Sequence, residues 1–274
     1  MNKIVGLLVL CLLGSIIAAC QSKPTLATTV SWVTLRTSAG ETVRALYAEP
    51  KQAGRRPAVI YNHGTGVRQF GYDGAAAKGY DVKDYVRAIA DAGYVALAPI
   101  REFNSDSARF EDGRTVGSEV LWDGAIEGGI RSVHAARAYL TASARVTTGQ
   151  IAVIGFSEGG NITLWSLLEN ANYASAVLMS PATLRSARKF RLRSAGKDPR
   201  IENLTIPILL TVGADDMRPI RRVLKRLLAP RLSQASKDFT FKDDYPGGHR
   251  WFHKVRSEHW RDVTDFLHCS FFHC

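Results

Sequence analysis

The sequence predicts one α/β domain, a mostly parallel sheet with helices on both faces. Short apolar runs such as "AVIYN", "YVALAPI", "IAVIGF" and "ILLTVG" alternate with segments of helical spacing. Within the runs consecutive positions are apolar, so both faces of each strand are to be buried, as in parallel sheets. With 46% hydrophobic and 22% charged residues over 274 positions, the chain can fill one large core and is not disordered.

Taken in order, "TTVSWVTL" and "ETVRALYAEP" predict two strands around a turn at Ser38–Gly40, forming an antiparallel edge. "RPAVIYNHG" predicts a buried strand that runs into a glycine loop. Residues 82–92 have helical spacing and stop at Gly93, and "YVALAPI" is the next strand. "WDGAIEGGIRSVHAARAYLTA" predicts a long helix weakened by Gly128 and Gly129. Strand "QIAVIGF", helix "EGGNITLWSLLEN" and strand "ASAVLMSP" follow. Then come strand "IPILLTVG", a basic helix over 218–229, strand "DFTFKDDY" and a last helix over 254–267. Segments 101–121 and 182–203 fit no core element. They are expected as insertions over the carboxyl edge of the sheet, within one domain spanning 28–274, where open α/β sheets bind ligands.

The first residues are of another kind. A basic "MNK" precedes the apolar run "IVGLLVLCLLGSIIAA", which is too short for a bilayer-spanning helix of about 20 residues and suits a secretion signal. The junction "IAAC" resembles a bacterial lipobox. That resemblance implies removal of residues 1–19, lipid on Cys20, a linker over 20–27, and a membrane-tethered protein. In proteins with such a lipobox a residue other than aspartate after the cysteine goes with the outer membrane, so the resemblance, with Gln21 there, implies the outer membrane, periplasmic side. The alternative is an ordinary signal peptide cut near Ala19, with Cys20 incidental.

Cys11 falls in the signal, leaving Cys269 and Cys274 as a candidate disulfide loop in an oxidising compartment. The CxxxxC pair could also bind metal, with only His268 and His273 close to it in sequence, but the disulfide is preferred and no metal is expected. The net charge of +11 is concentrated in two runs. One is Arg185, Arg188, Lys189, Arg191, Arg193, Lys197 and Arg200 around Asp198. The other is Arg218, Arg221, Arg222, Lys225, Arg226 and Arg231. Such runs form a solvated face, steer acidic substrates or sit on anionic head groups. No nucleic-acid motif accompanies them, so no such partner is expected.

"Gly155-Phe156-Ser157-Glu158-Gly159" fits GxSxG, a pattern that ordinary composition produces by chance in roughly one chain in ten. Its context adds weight, because Ser157 stands where a strand turns into a helix. A nucleophile elbow requires that join, and the helix amides then point at the serine oxygen.

With "NHGTG", "GADDMRP" and "YPGGH" in the same order, the chain resembles an α/β hydrolase over residues 45–267. Within that superfamily it is similar to the dienelactone-hydrolase-like enzymes. The resemblance implies a Ser-acid-His order and ester hydrolysis without a cofactor. One departure is the nucleophile: the dienelactone hydrolases proper use cysteine, and this chain has Ser157. The family's GxxD spacing from Gly213 selects Asp216 as the acid, with Asp215 the alternative. His249 matches the family's base and follows the flexible "PGG". His63, His134, His253, His259, His268 and His273 are the other histidines. The resemblance also implies oxyanion donors at the backbone amides of Thr65 and Glu158, with the Glu158 carboxylate serving the helix start.

The expected function is therefore a serine hydrolase acting on small carboxylic esters. The alternatives are a peptidase of the prolyl-oligopeptidase type, and an inactive, membrane-tethered binding protein on the same scaffold. Substrate preference is expected to depend on Phe103, Trp122, Trp251 and the segments 68–81, 101–121 and 182–203.

Overall fold

β1 (Thr28–Arg36) and β2 (Thr42–Pro50) form the predicted hairpin, with Thr28 opposite Pro50 and Arg36 opposite Thr42. Its turn closes through Gly40 N–H to the Thr37 carbonyl (2.9 Å), with Gly40 at φ 80°. In the computed structural model, residues 28–51, 53–101, 119–169, 172–183 and 195–274 are described. Cys20 and residues 1–19, Phe103, most of the 101–121 segment and the basic residues 185–193 lie outside them, as does the Trp122 side chain.

The remaining strands are β3 (Arg56–Asn62), β4 (Val95–Pro99), β5 (Val146–Phe156), β6 (Ser175–Met179), β7 (Ile208–Gly213) and β8 (Phe239–Tyr245). They make one sheet of eight in the order β1-β2-β4-β3-β5-β6-β7-β8. β2 pairs antiparallel with β1 and β4, and every other pair is parallel. The chain leaves β3 toward β4 and returns to β5 on the other side of β3. A crevice opens at such a reversal, beyond the carboxyl ends of the strands.

Alternate residues of each strand serve two cores. Ala58 and Ile60 of β3, Val153 of β5 and Leu210 of β7 face one side, under α3 (Glu119–Ala142) and α4 (Glu158–Glu169). Val59, Tyr61, Ile154 and Leu209 face the other, under α2 (Val82–Asp91) and α7 (Ser257–Phe272). α2 shows why such a segment is helical. Val82, Tyr85, Val86 and Ile89 fall on one buried face, and Asp81 accepts the Lys83 N–H at 2.9 Å as an N-cap.

Several expectations need correction. A helix, α1 (Thr65–Ala77), occupies a stretch with no legible helical pattern. Gly66, Gly71 and Gly74 dilute the pattern, and Gly71, at φ 75°, interrupts the helix. Gly129 does not weaken α3 without return. A Cβ there would lie 2.4 Å from Ile162 Cδ1, so its absence lets α4 pack close against α3. The basic helix runs on to 235: α5 (Arg218–Val223), a π turn at Leu224–Leu228, then α6 (Ala229–Ala235). Residues 195–203 are not an overhang, because Ala195 and Ile201 join the core and Arg231 holds the Gly196 and Asp198 carbonyls at 2.9 Å each. The last helix spans 257–272 rather than 254–267, and Cys269 is disulfide-bonded to Cys274 just past its end. Among the described residues no helix is long and apolar enough to cross a membrane.

Candidate active site

β5 delivers its last side chain, Phe156, into the core, and the next residue turns sharply. Ser157 sits at φ 55°, a left-handed conformation that non-glycine residues rarely hold. Two hydrogen bonds fix it: Ser157 N–H to the Met179 carbonyl (3.0 Å) and Ala182 N–H to the Ser157 carbonyl (2.8 Å). The flanking glycines are sterically required. A Cβ on Gly159 would lie 2.1 Å from the Asn62 carbonyl, and one on Gly155 would lie 2.4 Å from Thr163 Oγ1. With Ser157 8% exposed at the crevice, the hydroxyl stands at the start of α4.

Two further strands bring their ends to this serine. The chain after β7 carries Asp216, whose side chain is fully buried, while Asp215 is exposed and uses its backbone N–H on the Gly247 carbonyl. After β8, the turn at Gly247–Gly248 leads into a single 3-10 turn, His249–His253. Nε2 of His249 lies 2.8 Å from Ser157 Oγ, and its Nδ1 lies 3.1 and 3.2 Å from the two Asp216 oxygens. A carboxylate only accepts, so Nδ1 carries the ring proton and Nε2 is left to accept the serine hydroxyl. Met217 N–H donates to Asp216 Oδ1 at 2.6 Å, fixing the carboxylate. Of the two aspartates, Asp216 is the one brought to His249.

On the other side of Ser157, α1 and α4 start next to each other. Thr65 and Glu158 are their first residues, so neither N–H has an acceptor within its own helix. Their side chains also meet, Thr65 Oγ1 donating to Glu158 Oε2 at 3.2 Å. The Glu158 carboxylate does more than serve its helix start. It is fully buried between Arg68 (2.8 and 3.1 Å) and Arg101 (2.9 Å). Burial alone would raise its pKa, but the two guanidiniums hold it at about 2. Neither arginine carries a sequence signal, because each is a lone basic residue whose partner lies far along the chain.

The other histidines are occupied differently. His63 is buried, with Nδ1 donating to the Gly64 carbonyl and Nε2 accepting the Arg101 N–H, both at 2.9 Å. Burial, and then the Arg101 charge, push its pKa well below the usual value. His253 stacks on Tyr80 with ring centroids 4.7 Å apart. His259 is buried among Tyr245, Trp251 and Phe252. Trp251 itself stacks on Tyr245 and packs, partly buried, against the core. Tyr80 also serves the turn after β3, its hydroxyl accepting the Gly64 N–H at 2.9 Å. Among the described residues no cluster of three or more His, Cys, Asp or Glu is placed to hold a metal.

A parallel sheet reversing at β3, a serine elbow after β5 and an Asp–His pair from β7 and β8 agree with a match over residues 43–269. The chain belongs to the dienelactone hydrolase family. It is an α/β hydrolase, and solved structures share its fold. One is a Klebsiella pneumoniae protein designated a dienelactone hydrolase (19% identity, TM-score 0.63), covering 90% of this chain and 99% of the other. A Pyrococcus furiosus esterase aligns at 17% identity and TM-score 0.65, over 88% and 91% of the two chains. A Pyrococcus horikoshii acylaminoacyl peptidase aligns at 13% identity and TM-score 0.63, over 89% of this chain and 42% of its own. No curated protein sequence matches the chain.

Proposed function

We propose that this family member is a serine hydrolase of carboxylic esters, working through an acyl-enzyme. The observation that carries the reading is the continuous chain Ser157 Oγ–His249 Nε2 (2.8 Å) and His249 Nδ1–Asp216 (3.1 Å). In the proposed reaction Ser157 Oγ bonds to the ester carbonyl carbon while its proton passes to His249 Nε2. Asp216 stabilises the resulting imidazolium. The carbonyl electron pair moves onto oxygen, where the amides of Thr65 and Glu158 receive it. Collapse breaks the C–O bond, and the leaving alkoxide takes the proton from Nε2. Water, deprotonated by His249, repeats the steps on the acyl-enzyme and frees the acid. No step in this sequence calls for a cofactor.

A fluorophosphonate probe tests the reading. The wild type is expected to be labelled and Ser157→Ala not, while a folded wild type that resists labelling sinks it. His249→Ala is expected to lose roughly a thousandfold or more in kcat on aryl esters, and His253→Ala little. Matched aryl amides decide between ester and peptide hydrolysis, and a series of acyl lengths sizes the pocket.

Export with lipid on Cys20, at the periplasmic side of the outer membrane, is part of the same proposal. It is supported by the "IAAC" junction and by the Cys269–Cys274 disulfide, a bond suited to an oxidising compartment. Labelled palmitate should enter the full chain and be lost in Cys20→Ala. Incorporation that survives the substitution overturns the anchor.

A further inference from the structure

Ser180 is the residue after β6, and it is absent from every motif in the sequence. It is fully buried and sits at φ 45°, the second non-glycine left-handed residue at this sheet edge after Ser157. A side chain is strained in that region, and glycine would avoid the strain. Its neighbours clasp the nucleophile turn: Met179 accepts the Ser157 N–H, and Ala182 donates to the Ser157 carbonyl. Its own N–H donates to the Thr211 carbonyl of β7 at 2.7 Å. The backbone is thus tied to β7 and to the turn after β5, which sets one direction for the Cα–Cβ bond.

That direction is the Asp–His pair. Ser180 Oγ donates to Asp216 Oδ2, and it lies 3.1 Å from His249 Nδ1. The hydroxyl has one proton and two lone pairs. Giving the proton to the carboxylate leaves a lone pair facing the Nδ1 proton, which is then shared between Asp216 Oδ1 (3.1 Å) and Ser180 Oγ. The carboxylate in turn is held at Oδ1 by the Met217 N–H and at Oδ2 by Ser180. Without the hydroxyl, Oδ2 keeps only its 3.2 Å contact with His249 Nδ1, and the ring loses the contact with Ser180 Oγ.

We propose that Ser180 is a positioning residue of the hydrolytic reaction, orienting Asp216 and the His249 ring so that Nε2 stays aimed at Ser157. It touches neither substrate nor the attacked carbon. The inference rests on the serine-hydrolase reading above, and its test separates the two.

Two substitutions divide a positioning role from a structural one. Ser180→Ala removes the hydroxyl and keeps the left-handed strain; Ser180→Gly removes both. Loss of a hydrogen bond to a charged group predicts a fall of about 10- to 100-fold in kcat for each variant, with KM within about twofold. The Gly variant should melt about 2–4 °C above the Ala variant, yet share its defect. The low-field proton resonance of His249 Nδ1–H should move upfield in both. If kcat and the resonance stay at wild-type values in either folded variant, the proposal is overturned. Activity that returns in the Gly variant along with its stability also overturns it, by marking a structural role. A labelled, active wild type with unaffected Ser180 variants removes this inference alone, whereas an unlabelled wild type removes the serine-hydrolase reading with it.

Discussion

Ser157 is supported on the α1/α4 side by buried charges and on the β7/β8 side by aromatic rings. On the first side Glu158, Arg68, Arg101 and His63 are all buried, and each contact is a directed hydrogen bond. On the second, the turn carrying His249 rests on Phe252, Trp251, Tyr245 and His259, packed edge to face or stacked. Directed ionic contacts fix one geometry and fail abruptly when a partner is lost. Aromatic packing tolerates exchanges of similar volume, but it surrounds histidines that must stay neutral. The two sides should therefore break under different insults.

The largest effect is expected on the ionic side. Glu158→Ala takes the carboxylate from two buried guanidiniums at once, and breaking a buried pair in this way costs about 3–5 kcal/mol. Urea midpoints measure it, and Glu158→Gln, which keeps the shape, should lose less. A loss under about 1 kcal/mol for Glu158→Ala would mean that the cluster does not support the α1/α4 junction.

This contrast also explains what the sequence disclosed. The strands were legible because runs such as "IAVIGF" are apolar at every position, and Ser157, Asp216 and His249 follow directly after strands, where spacing and glycines mark them. Arg68, Arg101 and Ser180 were not legible. Their partners are 90, 57 and 36 residues away, and a lone arginine or serine carries no periodic signal. α1 was missed for a local reason, its glycines. The same glycines let the helix break at Gly71 while Val67 and Ala75 remain in the core. The 195–203 stretch reads as polar and basic, yet its few apolar residues, Ala195 and Ile201, are the ones buried.

The second effect belongs to acid and to the aromatic side. Burial lowers the pKa of His259 to about 4, and burial followed by the neighbouring His249 lowers that of His253 to about 4. An unfolded histidine titrates near 6.5, so between pH 6.5 and 4 the unfolded chain binds more protons than the fold. Stability is then fully present above pH 6.5 and is lost as pH falls toward 4, by about 1.4 kcal/mol per pH unit for His259. Glu158 runs on a different scale. Its contribution holds until the pH drops below the ordinary carboxylate range toward about 2. Acid should therefore act through the buried histidines, His253 and His259 on the β7/β8 side and His63 on the other, before it reaches Glu158. His259 makes no hydrogen bond through either ring nitrogen among the described residues, and its neighbours are Tyr245, Trp251 and Phe252. Phenylalanine fits that setting chemically and cannot take a proton. His259→Phe is expected to leave stability at pH 7.5 within about 1 kcal/mol and to flatten the loss between pH 6.5 and 4 by one proton's worth. Urea denaturation at half-unit pH steps measures the slope for both proteins. An unchanged slope would show that His259 does not carry the acid sensitivity, and would leave it with His253 and His63.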